Sequence, residues 1–298
     1  MIVITVGKTY IDIDGYASSI AYRELLRLKN IESKFVSNAV LNYSITESLK
    51  ENGFSSDNYS INPDDKYIIL DLSDKSYFPD FVNEDNIIEI IDHHPGYEDY
   101  WINKLGSKAK IEPIGSVATI IVEKYEQDDL FNKMDKNVAY LLMAAILDNT
   151  LNFTASITTK RDIDAYKQLE DLTKEYDFAT KYFSECQEYI ETNLKESINN
   201  DIKLQLVSNN LPSVFGQLTI WSAEKLLEKK ELINQIMDSY GSNWMINIIS
   251  LKDNSSYIMC SNEDIKIKLK QLLDCNDNNE VLIIKPALLR KEIIKRSL

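Results

Sequence analysis

Residues 87–94 read Ile-Ile-Glu-Ile-Ile-Asp-His-His, an apolar run that closes on an acid and on both of the chain's 2 histidines, His93 and His94. Such a run predicts a strand over residues 87–92. In open α/β sheets ligands bind beyond the carboxyl ends of the strands, so the Asp92-His93-His94 step is where chemistry is expected. Working outward, residues 2–6, 34–36 and 67–71 read as further strands. Apolar residues at helical spacing mark helices over 17–29, 117–125 and 137–147, the second preceded by Gly115 and Ser116 as helix starters. Thr159 before Lys-Arg-Asp resembles an N-cap with an acid in the first turn. This alternation predicts an α/β fold: a parallel-sheet N-terminal domain with helices on both faces.

The ends of these elements are acidic. The first strand leads into Asp12-Ile13-Asp14, whose spacing can aim two carboxylates at one point in a loop. The strand 67–71 ends in Asp71, with Asp74 three residues later, and the helix 137–147 runs into Asp148. Any one of these acids is more often a cap or turn residue. Gathered with paired imidazoles, they call for a divalent cation, because clustered carboxylates repel unless one neutralises them. Carboxylate plus imidazole suits manganese, cobalt, zinc or iron better than calcium or an all-oxygen magnesium site. Two ions bridged by one carboxylate would generate a hydroxide nucleophile near neutral pH.

The second half differs. Residues 177–198 are polar, helical in period and without Gly or Pro, as suits a connection between two bodies. Beyond them, strands at 203–207, 213–221, 244–252, 257–261 and 281–285 with helices at 223–239 and 262–273 predict a smaller α+β C-terminal domain. The last 14 residues set Lys285, Arg290, Lys291, Lys295 and Arg296 against Glu292 alone, in a chain of net charge −14. Such a tail suits an anion, since Arg grips phosphate bidentately and Lys adds a point charge; it also suits a solvated terminus.

Composition narrows the field. With 298 residues, 44% hydrophobic, 8 Gly and 6 Pro, the chain is globular and long enough for two domains. Its negative charge argues against a nucleic-acid polymer or an anionic membrane as partner. Cys186, Cys260 and Cys275 have neither disulfide-framework nor zinc spacing, which fits a reducing compartment. MIVITVGK reads as a first strand, and no apolar stretch approaches the roughly 20 residues that span a bilayer. A cytoplasmic protein is expected. No phosphate-binding P-loop, dinucleotide glycine motif or nucleophile elbow is present.

The order Asp12-x-Asp14, Asp71, Asp92-His93-His94, Asp148 resembles the four motifs of the DHH phosphoesterase superfamily. LDNTLNFTASITTKRDIDAYKQL (147–169) and EPIGSVATIIVEKY (112–125) are similar to segments of the manganese-dependent family II inorganic pyrophosphatases. The resemblance implies a catalytic domain over 1–186, a linker at 187–192 and a DHH-associated substrate domain over 193–298. By motif, Asp12 and Asp71 would hold one ion and Asp14, Asp71, His93 and Asp148 the other. His94 would face the substrate phosphate, and Asp92 would orient the histidines. Manganese is the implied cofactor, with cobalt or magnesium as alternatives and one or two ions bound.

One position departs from the family. Pyrophosphatases begin the first motif with Gly-His, where this chain has Gly7-Lys8, and a protonated lysine has no lone pair for a metal. Lys8 would weaken the first metal site, replace some of its charge in the catalytic machinery, or mark a different substrate. Exopolyphosphatase-like relatives also lack that histidine. In the second domain LLRKEIIKRSL resembles the segment that closes the pyrophosphatase substrate domain, implying that Arg290 and Lys291 bind substrate, with Leu289 where the family has Ser. NDIKLQL similarly implies Lys203, and Gln217 matches a recurring Gln. The reading is a metal-dependent hydrolase of phosphoanhydride bonds acting on a small anionic phosphate, with a homodimer among the implied states. The alternatives are a degenerate phosphate-ligand or protein-binding module, and a phosphodiesterase on small nucleotides.

Overall fold

The computed structural model describes residues 1–50, 58–60, 62–204, 210–278 and 281–297. They divide into two units, Met1–Phe153 with Ile157–Ala179, and Thr154–Ser156 with Thr180–Leu298. In the first unit the strands are β1 (Ile2–Thr5), β2 (Tyr10–Ile11), β3 (Ser33–Phe35), β4 (Val40–Leu41), β5 (Lys66–Leu70), β6 (Ile87–Asp92) and β7 (Ala109–Ile111). The helices are α1 (Ile13–Leu28), α2 (Glu47–Lys50), α3 (Glu98–Leu105), α4 (Val117–Gln127), α5 (Lys136–Asn149) and α6 (Lys160–Thr173).

Five of these strands form one sheet in the order β3-β1-β5-β6-β7, every pair parallel, while β2 and β4 pair separately. Val3, Tyr67, Ile69 and Ile90 bury one face of the sheet against Trp101 of α3 and Phe78. By the two-residue alternation of a strand, Ile4 and Ile68 turn to the opposite face, and both are buried. Here α1 and α4 contact the sheet, so helices cover both faces as expected. An irregularity in register between β5 and β6 exposes Ile88 and buries Glu89, whose carboxylate accepts from Tyr22 Oη and pairs with Lys124 at 2.8 Å.

Local chemistry fixes the helix ends. Helix α1 begins earlier than its apolar period suggests. Asp12 is its N-cap, its side chain accepting from Gly15 N, and Asp14 lies in the first turn, so the pair is not held in a loop. Thr159 and Asp162 form a capping box at α6. Helix α5 is buried along most of its length and ends in a left-handed turn: Leu151, Asn152 and Phe153 have φ of 51°, 53° and 67°. Strands β2, β4 and β7 and helix α3 carry too short an apolar signal to stand out in the sequence.

The boundary falls inside α7 (Phe178–Thr192), which also contains residues 187–192. The second unit continues with α8 (Leu194–Asn199), β8 (Ile202–Leu204), β9 (Val214–Ile220), α9 (Glu224–Glu228), α10 (Lys230–Asp238), β10 (Trp244–Ser250), β11 (Ser255–Cys260), α11 (Glu263–Leu273), β12 (Asn276–Asn278), β13 (Val281–Ile284) and α12 (Arg290–Ser297). Its sheet runs β12-β13-β11-β10-β9-β8, with β9 and β10 parallel and the other pairs antiparallel. The expected helix 223–239 breaks at Lys229 into α9 and α10. Residues 205–207 of the expected strand 203–207 lie outside the described residues. Arg290, Lys291, Lys295 and Arg296 of the basic tail lie on helix α12, and Lys285 precedes it. Among the described residues no helix is long and apolar enough to cross a membrane.

Candidate metal centre

Counting only its own strands, the first sheet has the order 2-1-3-4-5, whose topological switch point lies between β1 and β5. The segments leaving these strands and β6 carry the acids and imidazoles. Asp71 follows β5 directly with φ of 56°, a left-handed conformation that Asp tolerates better than most residues, and its amide still donates to Ile91 O at 2.9 Å. Asp71 Oδ1 lies 3.3 Å from His93 Nε2 and 3.8 Å from His94 Nδ1. One ligand atom from each of Asp71, His93 and His94 falls within 4.8 Å of the others.

Asp92 organises the histidine pair. Its Oδ1 accepts from His93 N at 2.7 Å, from His94 N at 3.2 Å, and lies 2.8 Å from His94 Nδ1. Burial pushes the Asp92 carboxyl up, yet the charge and hydrogen bonds of His94 outweigh it and hold the group below its ordinary range. The contact assigns the His94 proton to Nδ1 and turns Nε2 away from Asp92. The His93 side chain is buried, whereas that of His94 is a third exposed.

Asp12 and Asp14 come from the start of α1. A Cβ built on Gly15 would meet Asp71 Oδ2 at 3.5 Å and Asp12 Oδ1 at 3.7 Å, so both carboxylates flank one bare stretch of backbone. A Cβ there would also press on Val6 Cγ1 at 3.3 Å. Asp14 is fully buried, with Oδ2 at 3.9 Å from His93 Nε2. Its carboxylate also accepts from the amides of Val117 and Ala118, each at 2.9 Å, at the N-terminus of α4. Asp74, by contrast, is a turn residue, with Oδ1 accepting from Ser76 N and Ser76 Oγ.

Asp148 stands in the last turn of α5, half-buried, and does not belong to the three-residue ligand group. Lys8 is 46% exposed and pairs with Asp80 at 3.0 Å. In the second unit, Lys203 lies on β8 opposite Phe215. Arg290 opens α12 but is buried: Nη1 donates to Asp201 O at 2.7 Å and Phe215 O at 3.2 Å and lies 2.7 Å from Asp201 Oδ1. Gln217 Oε1 caps the same helix by accepting from Arg290 N at 2.6 Å. Lys291 follows, half-buried.

This donor set fits a divalent cation. Oxygen and nitrogen donors sharing one ion with bonds of about 2 Å lie roughly 3 to 4 Å apart, as His93 Nε2 does from Asp71 Oδ1 at 3.3 Å and from Asp14 Oδ2 at 3.9 Å. The sequence reading missed two buried carboxylates that organise these segments. Asp162 accepts from Gly115 N, Ser116 N and Thr119 Oγ1 of the α4 region, and Asp201 holds Arg290. The Thr159-x-x-Asp162 spacing signals a cap but not the second helix end that Asp162 also serves.

A family model described as the DHH family, N-terminal domain, matches residues 2–146. A probable manganese-dependent inorganic pyrophosphatase of Bacillus licheniformis is 27% identical over 172 residues, covering 56% of this chain and 54% of that protein. This match therefore spans only about half of the relative's length. Another, from Bacillus pumilus, is 22% identical over 301 residues and covers 96% of each chain. The crystal structure of a Methanococcus jannaschii protein described as a family II inorganic pyrophosphatase aligns with a TM-score of 0.74 at 20% identity, covering 100% of this chain and 99% of that one. At that identity the likeness speaks for the fold. Switch-point topology, acidic strand ends and the Asp-His-His step thus agree with the family match: residues 2–146 of this chain are similar to the DHH family N-terminal domain.

Proposed function

We propose that this protein is a divalent-metal-dependent hydrolase of phosphoanhydride bonds, with inorganic pyrophosphate or a short polyphosphate as substrate and manganese as the ion. The observation that carries this reading is the approach of Asp71 and His93, which follow the adjacent parallel strands β5 and β6, and of Asp14 in the first turn of α1 to His93, with Asp92 bonded to His94 beside them. The names of the Bacillus relatives support the choice of substrate and metal.

Asp14, Asp71 and His93 would hold the cation, joined by Asp12 and Asp148 for a full complement. A bound divalent cation supplies Lewis acidity toward phosphoryl oxygens and acidifies water. The remaining work falls to the protein's own groups. Asp92 fixes the His94 tautomer, and Nε2 of His94 is then placed to bond a phosphate oxygen or to carry a proton to the leaving group. In the second unit Lys203, Arg290 and Lys291 are the groups that would bind the phosphate, Arg as a fork and Lys as a point charge.

The test is phosphate release from pyrophosphate and tripolyphosphate with manganese, cobalt or magnesium, run beside a cyclic dinucleotide and a short oligonucleotide. Release from the first two with manganese is expected; release only from the nucleotides would overturn the reading. The Lys8–Asp80 pair favours a second reading, a phosphate-ligand module with a single ion, because it turns Lys8 toward an exposed acid. Elemental analysis showing one ion per chain, with no release from any substrate, would select it.

A further inference from the structure

Helix α4 touches the candidate centre only through its N-terminus, and there it holds Asp14 asymmetrically. Asp14 Oδ1 accepts from Ser116 Oγ at 2.8 Å, Ala118 N at 2.9 Å and Ser18 Oγ at 3.4 Å. Asp14 Oδ2 accepts from Val117 N at 2.9 Å and is the oxygen that faces His93. A carboxylate oxygen offers about two lone-pair sites, so these donors saturate Oδ1, and Oδ2 is the oxygen turned toward the histidine.

The direction of the Ser116 proton is also fixed. Ser116 Oγ accepts from Ala118 N at 3.1 Å as the helix cap, which leaves its own hydrogen for Asp14. The helix end is pinned from behind. Asp162 Oδ2 accepts from Gly115 N at 3.1 Å and from Thr159 N and Oγ1 at 2.8 and 2.7 Å, so one carboxylate ties the starts of α4 and α6. At Gly115 a Cβ would sit 2.7 Å from Thr150 Cγ2 and 2.8 Å from Asp162, leaving the helix start no space to shift.

We propose that the N-terminus of α4 makes Asp14 a one-oxygen metal ligand through Oδ2, with Ser116 as the residue that positions it; this rests on the metal-centre reading above. Ser116 touches neither ion nor substrate and acts through the orientation of the Asp14 carboxylate. Removing its hydroxyl frees the carboxylate to rotate about its Cβ–Cγ bond, which costs the ion its preorganised donor.

The experiment measures manganese affinity from the free-ion electron paramagnetic resonance signal for the full chain, with thermal melts run in parallel. Ser116→Ala is expected to bind manganese about 10- to 100-fold more weakly, the range seen when outer partners of metal ligands are lost. Ser116→Thr, which keeps the hydroxyl, is expected to recover most of it. Thr119→Val removes a buried hydroxyl of the same helix that donates to Asp162 and not to Asp14, so it should lower the melting temperature and leave the affinity unchanged. Equal losses of affinity in Ser116→Ala and Thr119→Val, or no loss in either, would overturn the inference. If Ser116→Ala shows no cooperative melt, Ser18→Ala carries the comparison, with a smaller loss expected and no loss overturning the proposal. A native protein that binds no manganese overturns the metal-centre reading itself, a result distinct from native binding with unaltered variants.

Discussion

The first unit and the second both bury charged groups near element ends, but they neutralise them by different means. In the first, Asp14 is held by amides and a hydroxyl of α4, groups that stabilise a carboxylate without being ions themselves, and its Oδ2 faces the His93 imidazole. In the second, Arg290 is held by the carboxylate of Asp201 and by two carbonyls, so its charge is already answered inside the unit. A buried acid at a helix start is thus prepared for an outside partner. A buried arginine with a counter-ion is prepared to hold its own helix in place.

That contrast can be broken at each end. The largest effect is expected from Asp71→Asn, which keeps shape and removes charge from the residue placed between both histidines. Manganese affinity should fall by more than about 100-fold, beyond the loss typical of outer partners, and phosphate release should vanish. Isothermal titration at near-native affinity would sink the assignment. Next, Arg290→Ala leaves Asp201 buried without its cation and should destabilise the chain by about 3–5 kcal/mol in urea unfolding. A variant of native stability with weakened substrate binding would instead make Arg290 a phosphate ligand alone and erase the contrast. Gly115→Ala forces a methyl against Thr150 and Asp162 and should cost about 1–3 kcal/mol, read from the thermal midpoint. Smallest is Lys8→Ala. An exposed ion pair contributes about 0–1 kcal/mol, so its removal should barely shift that midpoint.

Much of the first unit was legible because parallel strands are short apolar runs and each opens onto a polar end. The Asp92-His93-His94 step, Asp71 and the helix start at Ser116 are all local patterns. What the sequence concealed is non-local. Asp12 and Asp14 read as a loop because the apolar period of α1 begins later, whereas the Asp12 cap extends the helix back to Ile13. Glu89 reads as one polar residue in an apolar strand, and only the register shift beside β5 explains its burial with Tyr22 and Lys124. Arg290 reads as part of a basic tail because its partner Asp201 lies 89 residues away. Likewise the link between Asp162 and Gly115 spans 47 positions, beyond any local period.

The left-handed turn after α5 has its own consequence. An L-residue other than glycine gives up roughly 1–2 kcal/mol in that conformation, and Leu151, Asn152 and Phe153 adopt it in succession. What opposes unwinding is the seclusion of Leu151 from water, the bond from Asn152 N to Leu147 O and the edge contact of Phe153 with Tyr166. These restraints act together, so the segment behaves as a latch rather than a fraying end. Asp148, three positions before it, then owes its steadiness to a conformational load carried by its neighbours, and amide exchange there should proceed in one cooperative opening instead of residue by residue.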